Sequence, residues 1–155
     1  MAQVDFFLKL DGINGDVTAR GHEKWIEIQS FSWGVTNAVS FTAGGGGSTG
    51  KAVPSDFSMS LPFSSASPSL FKKAVTGQTI LEGTLSLVQV REAASDFLKW
   101  KLSDILITSY QVEGAQDGPF EQISLNFAKI EVTYAPSGSE LPITEGFDFR
   151  FNKVA

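Results

Sequence analysis

Residues 45–51 match the spacing of a phosphate-binding loop. They read GGGSTGK, which fits the pattern G-x-x-x-x-G-K whose backbone N–H groups cradle phosphates. The next residue is Ala52, so the hydroxyl that would bind Mg²⁺ is missing. Pro54 follows where the N-terminus of a helix should face the phosphates. The spacing fits but the chemistry does not, and we predict no nucleotide or other cofactor here.

His22 is the only histidine, and the chain contains no cysteine. Imidazole and thiolate clusters that hold metals are therefore not expected, and disulfides are excluded. A nucleophilic site would require partners for His22 that the sequence does not place beside it. We predict that this histidine lies in a loop or on the surface, and that the protein has no catalytic residue and no metal site.

Two further residue types deserve a chemical interpretation, the carboxylates and the tryptophans. Pairs of carboxylates can serve as the acid and base of a glycosidase, and the candidates are Glu27, Asp56, Glu92 and Asp96. Tryptophans can form a platform for sugar rings, and three are available: Trp25, Trp33 and Trp100. The alternatives are ion pairs on solvated faces and burial in the core. We favour these structural roles, and the sequence predicts no enzyme.

The composition is that of one globular domain spanning residues 1–155. The hydrophobic fraction is 42%, and the net charge of −5 comes from acidic and basic residues mixed along the chain, which argues against nucleic-acid binding. The N-terminal MAQVDFFLKLDG lacks the cationic and apolar regions of a signal peptide. No apolar run approaches the roughly 20 residues that span a bilayer. We expect a protein made in the cytoplasm, without membrane insertion.

The elements that must position these residues are mostly strands. Apolar residues alternate with polar ones, as in half-buried strands, over residues 4–10, 25–35, 57–63, 83–90, 97–102, 105–112, 120–134 and 147–151. In residues 25–35 the apolar positions change from even, at Ile28, to odd, at Phe31. This change implies a bulge or a strand buried on both faces. Residues 120–134 show a second change of the same kind.

One segment, SPSLFKKAVTGQ, predicts a helix. Ser67 is a good N-cap residue, Pro68 occupies the first helical position, and Gly77 suits the C-terminal turn. Four apolar residues share one predicted face: Leu70, Phe71, Ala74 and Val75. So short a helix must pack on a sheet to persist. Eight or nine strands with one helix favour an antiparallel barrel or sandwich.

A long connection, residues 35–56, separates two of the predicted strands. It contains four consecutive glycines, Gly44–Gly47, which add no side chains to a core. Val39 and Phe41 alternate with polar residues, so part of this connection is predicted to be a β-ribbon. Connections of this length are often functional, and we expect the segment to project and to contact a partner.

Four long blocks resemble the haemolysin-coregulated protein (Hcp) family, the tube-forming component of bacterial type VI secretion systems. They are GHEKWIEIQSFSWGV with the following GGGGSTGK, then SSASPSLFKKAVTGQTI, DFLKWKLSDILITSYQ and FEQISLNFAKIEVTYAP. Together these blocks cover most of the chain. The sequence departs from the family at Pro62 and Phe63, where many members carry a Thr-Lys pair.

This resemblance implies a small antiparallel β-barrel of two sheets with one short helix at its side. It also implies that six copies close into a homohexameric ring and that rings stack into a hollow tube. A sheath would propel this tube, tipped by a spike protein, and effector proteins would travel inside it. The protein would then leave the bacterial cytoplasm through the apparatus, and no reaction would be catalysed.

Two groups of residues are predicted to perform these roles. Ring-on-ring contact is assigned to Phe41, Gly44, Gly45, Gly46, Gly47, Thr49 and Lys51. Ser30 and Ser32 flank Phe31, and successive side chains of a strand point to opposite faces. If Phe31 faces the core, both serines face the lumen. The alternative function is that of a monomeric β-sandwich that binds a ligand or carbohydrate, and light scattering would separate the two.

Overall fold

The computed structural model describes residues 3–41, 47–90, 95–136 and 141–155. These residues form eleven strands and one helix. The elements are β1 (Gln3–Leu10), β2 (Ile26–Ile28), β3 (Ser30–Ser32), β4 (Val35–Phe41), β5 (Gly47–Pro54), β6 (Phe57–Pro62), α1 (Ser67–Thr76), β7 (Ile80–Val90), β8 (Ser95–Glu113), β9 (Phe120–Tyr134), β10 (Ile143–Asp148) and β11 (Lys153–Val154).

Nine of the strands belong to a single antiparallel sheet. Its path runs β11-β10-β9-β8-β7-β1-β2, with β6 also paired to β9 and β3 paired to β6. The predicted class, mainly β with one short helix, is confirmed. The structure differs in detail from the expected barrel of two sheets. One sheet bends through the whole domain, and its hydrogen-bonded path does not close within the described residues. Strands β4 and β5 form a separate two-stranded sheet.

Strands β2 and β3, which lie at the ends of two branches of the sheet, are joined by Gln29. Strand β2 pairs with β1, whereas β3, which begins one residue after Gln29, pairs with β6. The N–H of Gln29 donates to the carbonyl of Ser60 at 2.8 Å. The change of apolar phase predicted in residues 25–35 is therefore real, and its cause is that the chain leaves one partner strand for another.

The second change of phase marks a bend in β9. On one edge, β9 pairs with β6 over its first half and with β10 over its second half. Its burial pattern shifts between Phe127 and Ile130. Opposite this point, Asp104 of β8 has a left-handed φ of 54°. Strand β8 is nonetheless continuous, which corrects the prediction of separate strands at 97–102 and 105–112.

The predicted helix is present, but its start differs from the prediction. Gly77 ends α1 with a left-handed φ of 66°, and its N–H donates to Lys73 O at 3.0 Å. The N-cap is Ala66 rather than Ser67, and no side chain caps the helix. Ser67 is buried within the first turn, and its Oγ donates to Glu121 Oε1 at 2.7 Å. A partner distant in sequence thus engages the hydroxyl that would have capped the helix.

The docking face of α1 is also narrower than predicted. Leu70 is fully buried and Ala74 packs against the core, but Phe71 and Val75 are 53% and 66% exposed. The Phe71 ring packs edge-on against Tyr110 on β8, with 6.0 Å between ring centroids. Because the short helix lies along β8, only one side of it contacts the sheet, and its other apolar side chains remain in solvent.

Phe57 lies at the centre of an aromatic cluster in the core. Its side chain is fully buried, and its ring lies 5.8 Å from Phe31, 6.1 Å from Trp33 and 6.0 Å from Trp100 between centroids. Two of the three tryptophans thus pack against the core, as the structural interpretation expected. Phe31 is partly buried and packs against this core, which places its neighbours in β3 on the opposite face.

A hydroxyl- and amide-lined face as the candidate functional site

Two rows of uncharged polar residues cross four adjacent strands. The first row follows the register Ser30, Ser60, Gln122 and Gln111, across β3, β6, β9 and β8. Paired residues of an antiparallel sheet point to the same face, so these four side chains stand side by side. Between the rows the side chains turn inward, and Met59 and Ile123 are buried.

The second row is made entirely of serine. It joins Ser32, Ser58, Ser124 and Ser109 in the same strand order. Together the two rows line a shallow depression of about 320 Å³, which we call the polar face. The polar residues of its lining are six serines and two glutamines, and none of its lining residues is charged.

The hydroxyls of the polar face make few hydrogen bonds to one another. Ser58 and Ser124 are 3.4 Å apart, and Ser60 donates to Gln29 Oε1 at 3.5 Å, both near the limit for such bonds. Each hydroxyl can donate one bond and accept two. The face therefore retains hydrogen-bonding capacity toward an external partner without selecting a sign of charge.

Both serines predicted to line the lumen, Ser30 and Ser32, lie on the polar face and are exposed. The other six members of the two rows were not predicted from the sequence. Their signal was the polar residue at every second position of FSMSLP, FEQISLN and ITSYQ, which indicated only that these segments are strands. Register between strands distant in sequence cannot be read from a single strand, so the rows emerged only from the fold.

The predicted ribbon exists as β4 and β5, with Phe41 opposite Gly47 and Val39 opposite Thr49. Gly44, Gly45 and Gly46 lie outside the described residues, whereas Lys51 is exposed. Residues 47–51 therefore belong to a paired strand rather than to a loop that precedes a helix. Residues 46–50 also fit the G-x-S-x-G pattern of a hydrolase nucleophile, but Ser48 pairs with Ser40 within the ribbon and does not lie on a strand-to-helix turn.

His22 lies in a loop, as predicted, but its side chain is buried rather than at the surface. Its side chain packs between Phe7 and Trp25, with ring centroids 5.1 Å and 4.7 Å away, and its Nε2 lies 3.0 Å from Asp96 Oδ1. The loop that carries it folds back, and the His22 N–H donates to Ala19 O. Among the described ranges, no three His, Cys, Asp or Glu residues are arranged to hold a metal ion.

The other candidate carboxylates are distributed as follows. Asp56 accepts hydrogen bonds from Thr108 Oγ1 at 2.7 Å and Asn126 Nδ2 at 3.2 Å, and Asp96 also pairs with Lys99 at 3.3 Å. Glu27 is exposed, and Glu92 lies outside the described residues. The contacts of Asp56 and Asp96 are structural, and neither pairs with a second carboxylate in the part of the chain that the structure describes.

A second depression, of about 310 Å³, is almost wholly apolar. Its lining includes Trp33, Val35, Trp100 and Phe147, and its one charged residue is Glu145. We call it the Trp33 groove. The indole Nε1 of Trp33 is buried and has no hydrogen-bond partner among the described residues. Such a group carries a desolvation cost that a bound acceptor would relieve.

The buried carboxylate Glu121 joins α1 to the sheet. It accepts hydrogen bonds from the hydroxyls of Ser67 and Tyr110. Burial, and then the hydrogen bond to Glu121 and its negative charge, raise the pKa of Tyr110 well above its usual value. Tyr110 therefore remains a neutral donor over the whole physiological range of pH.

Comparison with known proteins identifies the family to which this arrangement belongs. The sequence profile of the family "Type VI secretion system effector, Hcp" matches residues 7–134. This chain belongs to the Hcp family. It is thus a type VI secretion tube protein of mainly β fold. The members of this family are structural proteins of the secretion system.

Relatives match this Hcp chain along nearly its whole length. Protein hcp1 of Pseudomonas aeruginosa is 27% identical over 160 aligned positions, covering 98% of this chain and 99% of that protein. A solved structure of a type six secretion system protein has a TM-score of 0.92 at 30% identity, covering 99% of this chain and 100% of the other. Hcp1 of Salmonella typhimurium gives a TM-score of 0.85 at 27% identity, with both chains fully covered.

The secreted character of this Hcp protein follows from its family. Within the described residues, no helix combines the length and the apolar character that crossing a membrane requires.

The resemblance to the Hcp family inferred from the four sequence blocks is confirmed.

Proposed function

We propose that six copies of this chain close into a ring, that rings stack into a tube, and that the polar face lines its lumen and carries effector proteins. The observation that supports this proposal most strongly is the pair of serine and glutamine rows across β3, β6, β9 and β8. An uncharged, hydrogen-bonding wall suits a channel that must hold varied cargo and release it.

Ring closure is supported by two strand edges that remain open. In the described part of the chain, β3 pairs only with β6, and residues 106–113 of β8 pair only with β9. Open edges are templates for pairing with another chain. Strands β3 and β8 run in opposite directions, so a neighbour's β3 can join β8 as an antiparallel strand, and this contact is heterologous, as a ring requires.

Stacking is assigned to the β4–β5 ribbon. It forms a sheet of its own, and its Lys51 is exposed. We propose that this ribbon reaches the next ring, with Phe41, Gly47, Thr49 and Lys51 as its described contact residues. Lys51→Glu should shorten tubes, and Lys9→Glu, an exposed lysine on β1, is the matched control.

The remaining partners follow from membership of the secretion apparatus. We propose contacts with its spike, sheath and effector proteins, synthesis in the bacterial cytoplasm, and export without a signal peptide. We propose neither catalysis nor nucleic-acid binding, because the polar face is uncharged and the protein carries a net charge of −5.

Native mass spectrometry tests the ring, and cargo retention tests the polar face. The wild-type chain should give a hexamer. Ser32→Gln should preserve the hexamer and weaken retention of a co-expressed effector, whereas Ser32→Thr, which keeps a hydroxyl, should retain more of it. A monomer of 16.7 kDa at every micromolar concentration would reject the ring and favour the monomeric ligand-binding module, for which the Trp33 groove offers an apolar site.

A further inference from the structure

We infer that the exposed apolar stripe of α1 docks into the Trp33 groove of the neighbouring copy. This inference rests on the proposed ring and names a second contact within it, beyond strand pairing. It is carried by two surfaces that have no partner among the described residues of one copy, and by their positions relative to the open strand edges.

The first surface is the stripe of α1. Phe71 and Val75 are one helical turn apart and thus lie on the same side of the helix, and their exposures are 53% and 66%. Lys72, between them in sequence, is also exposed. This arrangement forms an apolar ridge with a cation beside it, on a helix held to the sheet by Leu70.

The second surface is the Trp33 groove. Val35 at its margin is 51% exposed, and the exposed Glu145 supplies its only charge. The ridge and the groove therefore match in both apolar character and sign of charge. Because each copy has a net charge of −5, a contact that sets Lys72 near Glu145 opposes the general repulsion between copies.

The position of α1 brings its ridge to the open edge of β8. The helix begins at Ser67, whose hydroxyl is bonded to Glu121, and Glu121 pairs with Val112 of β8. The helix ends shortly before Ile80, which pairs with Ile105 of β8. It therefore runs beside the half of β8 that lacks a second partner strand in the described residues. The contact of Phe71 with Tyr110 confirms this placement.

Antiparallel pairing of a neighbour's β3 then determines what faces the ridge. If the neighbour's Ser30 and Ser32 extend the rows that end at Gln111 and Ser109, the chain that leaves its β3 runs toward residues 105–108 of β8. Trp33 and Val35 follow Ser32 directly. They thus arrive beside the C-terminal half of α1, where Val75 is exposed.

Cysteine pairs test this contact cleanly because the chain has no cysteine of its own. The variant Val75→Cys with Val35→Cys should give, with a short bis-maleimide cross-linker, a ladder of covalent oligomers up to the hexamer in denaturing gels. The matched control replaces Val75→Cys by Leu81→Cys, since Leu81 on β7 is 67% exposed. That control, and each single-cysteine variant, should give no ladder.

A charge in the ridge provides an independent measurement. Val75→Glu should raise the concentration at which half the chains are hexameric at least tenfold, whereas Leu81→Glu should leave it unchanged. Native mass spectrometry before cross-linking shows whether the ring forms, independently of whether α1 docks into the Trp33 groove. Hexamers without a ladder from the Val35 and Val75 pair, or an unchanged midpoint for Val75→Glu, overturn the docking and leave the ring intact. Monomers of the wild-type chain overturn both.

Discussion

Ser55 makes three hydrogen bonds to the backbone of Gly34. The Gly34 N–H donates to Ser55 Oγ at 3.0 Å, while the Ser55 hydroxyl and N–H donate to Gly34 O at 3.1 Å and 2.8 Å. These bonds close the base of the β4–β5 ribbon. The next residue, Asp56, is bonded to Thr108 and Asn126. The direction of the ribbon is thereby fixed relative to the polar face.

Removing the Ser55 hydroxyl should loosen the ribbon without unfolding the domain. Ser55→Ala loses two of the three bonds, for a cost of about 1 kcal/mol or less at this exposed site, and the Gly34 amide should exchange with solvent about fivefold faster. Hydrogen exchange followed by NMR measures this change. Ser55→Thr is the control, and equal exchange rates in all three proteins would contradict the assigned role.

Stability should fall in alkaline solution because of Tyr110. Its pKa is raised in the folded protein by burial and by Glu121. The contribution of protonated Tyr110 to the free energy of unfolding is therefore complete below the unfolded pKa of about 10. It is lost as the pH rises through the folded pKa. Urea unfolding between pH 8 and pH 11 should show this loss, and Tyr110→Phe should fall less steeply. Identical slopes for the two proteins would exclude Tyr110 as the cause.

Gly15 lies where a side chain has no room. A Cβ there would meet the carbonyl oxygen of Trp25 and lie 2.8 Å from Ile26 Cα, both backbone atoms that cannot rotate away. Gly15→Ala should therefore destabilise the protein by about 1–3 kcal/mol or more in urea melts. Gly114→Ala is the control, since nothing lies within 4 Å of its Cβ position, and it should change stability by less than about 0.5 kcal/mol.

The two neighbouring apolar residues of α1 should behave differently. Leu70 is fully buried, so Leu70→Ala should cost about 2–5 kcal/mol. Phe71 is 53% exposed, so Phe71→Ala should cost only roughly 1 kcal/mol in the isolated chain. Urea melts at concentrations where the chain is monomeric measure both. Similar losses for the two variants would place Phe71 in the core.

The residues that the sequence predicted correctly are those whose signal is local. Gly77 ends α1 as expected because a left-handed turn selects glycine there, and the changes of apolar phase correctly marked the points near Gln29 and Ala128 where the sheet bends. The errors concern partners distant in the chain. Ser67 does not cap its helix because Glu121 binds its hydroxyl, and His22 is buried because its loop folds onto Phe7 and Asp96. No local pattern contains these contacts.

The same limit applies to the polar face. Ser30 and Ser32 could be assigned to one side of a strand, because alternation within a strand is local. Their neighbours Ser58 and Ser60 became part of the site only through the register of β3 with β6. The register depends on how the whole sheet closes around its core, so a site built from four strands exceeds what a single sequence can predict.

The pairing of β1 has a consequence for the order in which the chain can fold. Strand β1 pairs with β7 along its full length, from Gln3 with Val90 to Leu10 with Gly83, whereas β8 and β9 form a hairpin of near neighbours. Contacts of short sequence separation form sooner than distant ones. On the ribosome, β1 can pair early only at residues 6–8, with β2, and the rest of this apolar strand must wait for β7, exposed to chaperones and to other nascent strands. Pulse-labelled hydrogen exchange during refolding should accordingly protect the β8–β9 amides before those of β1, and simultaneous protection would indicate that the whole sheet assembles in one step.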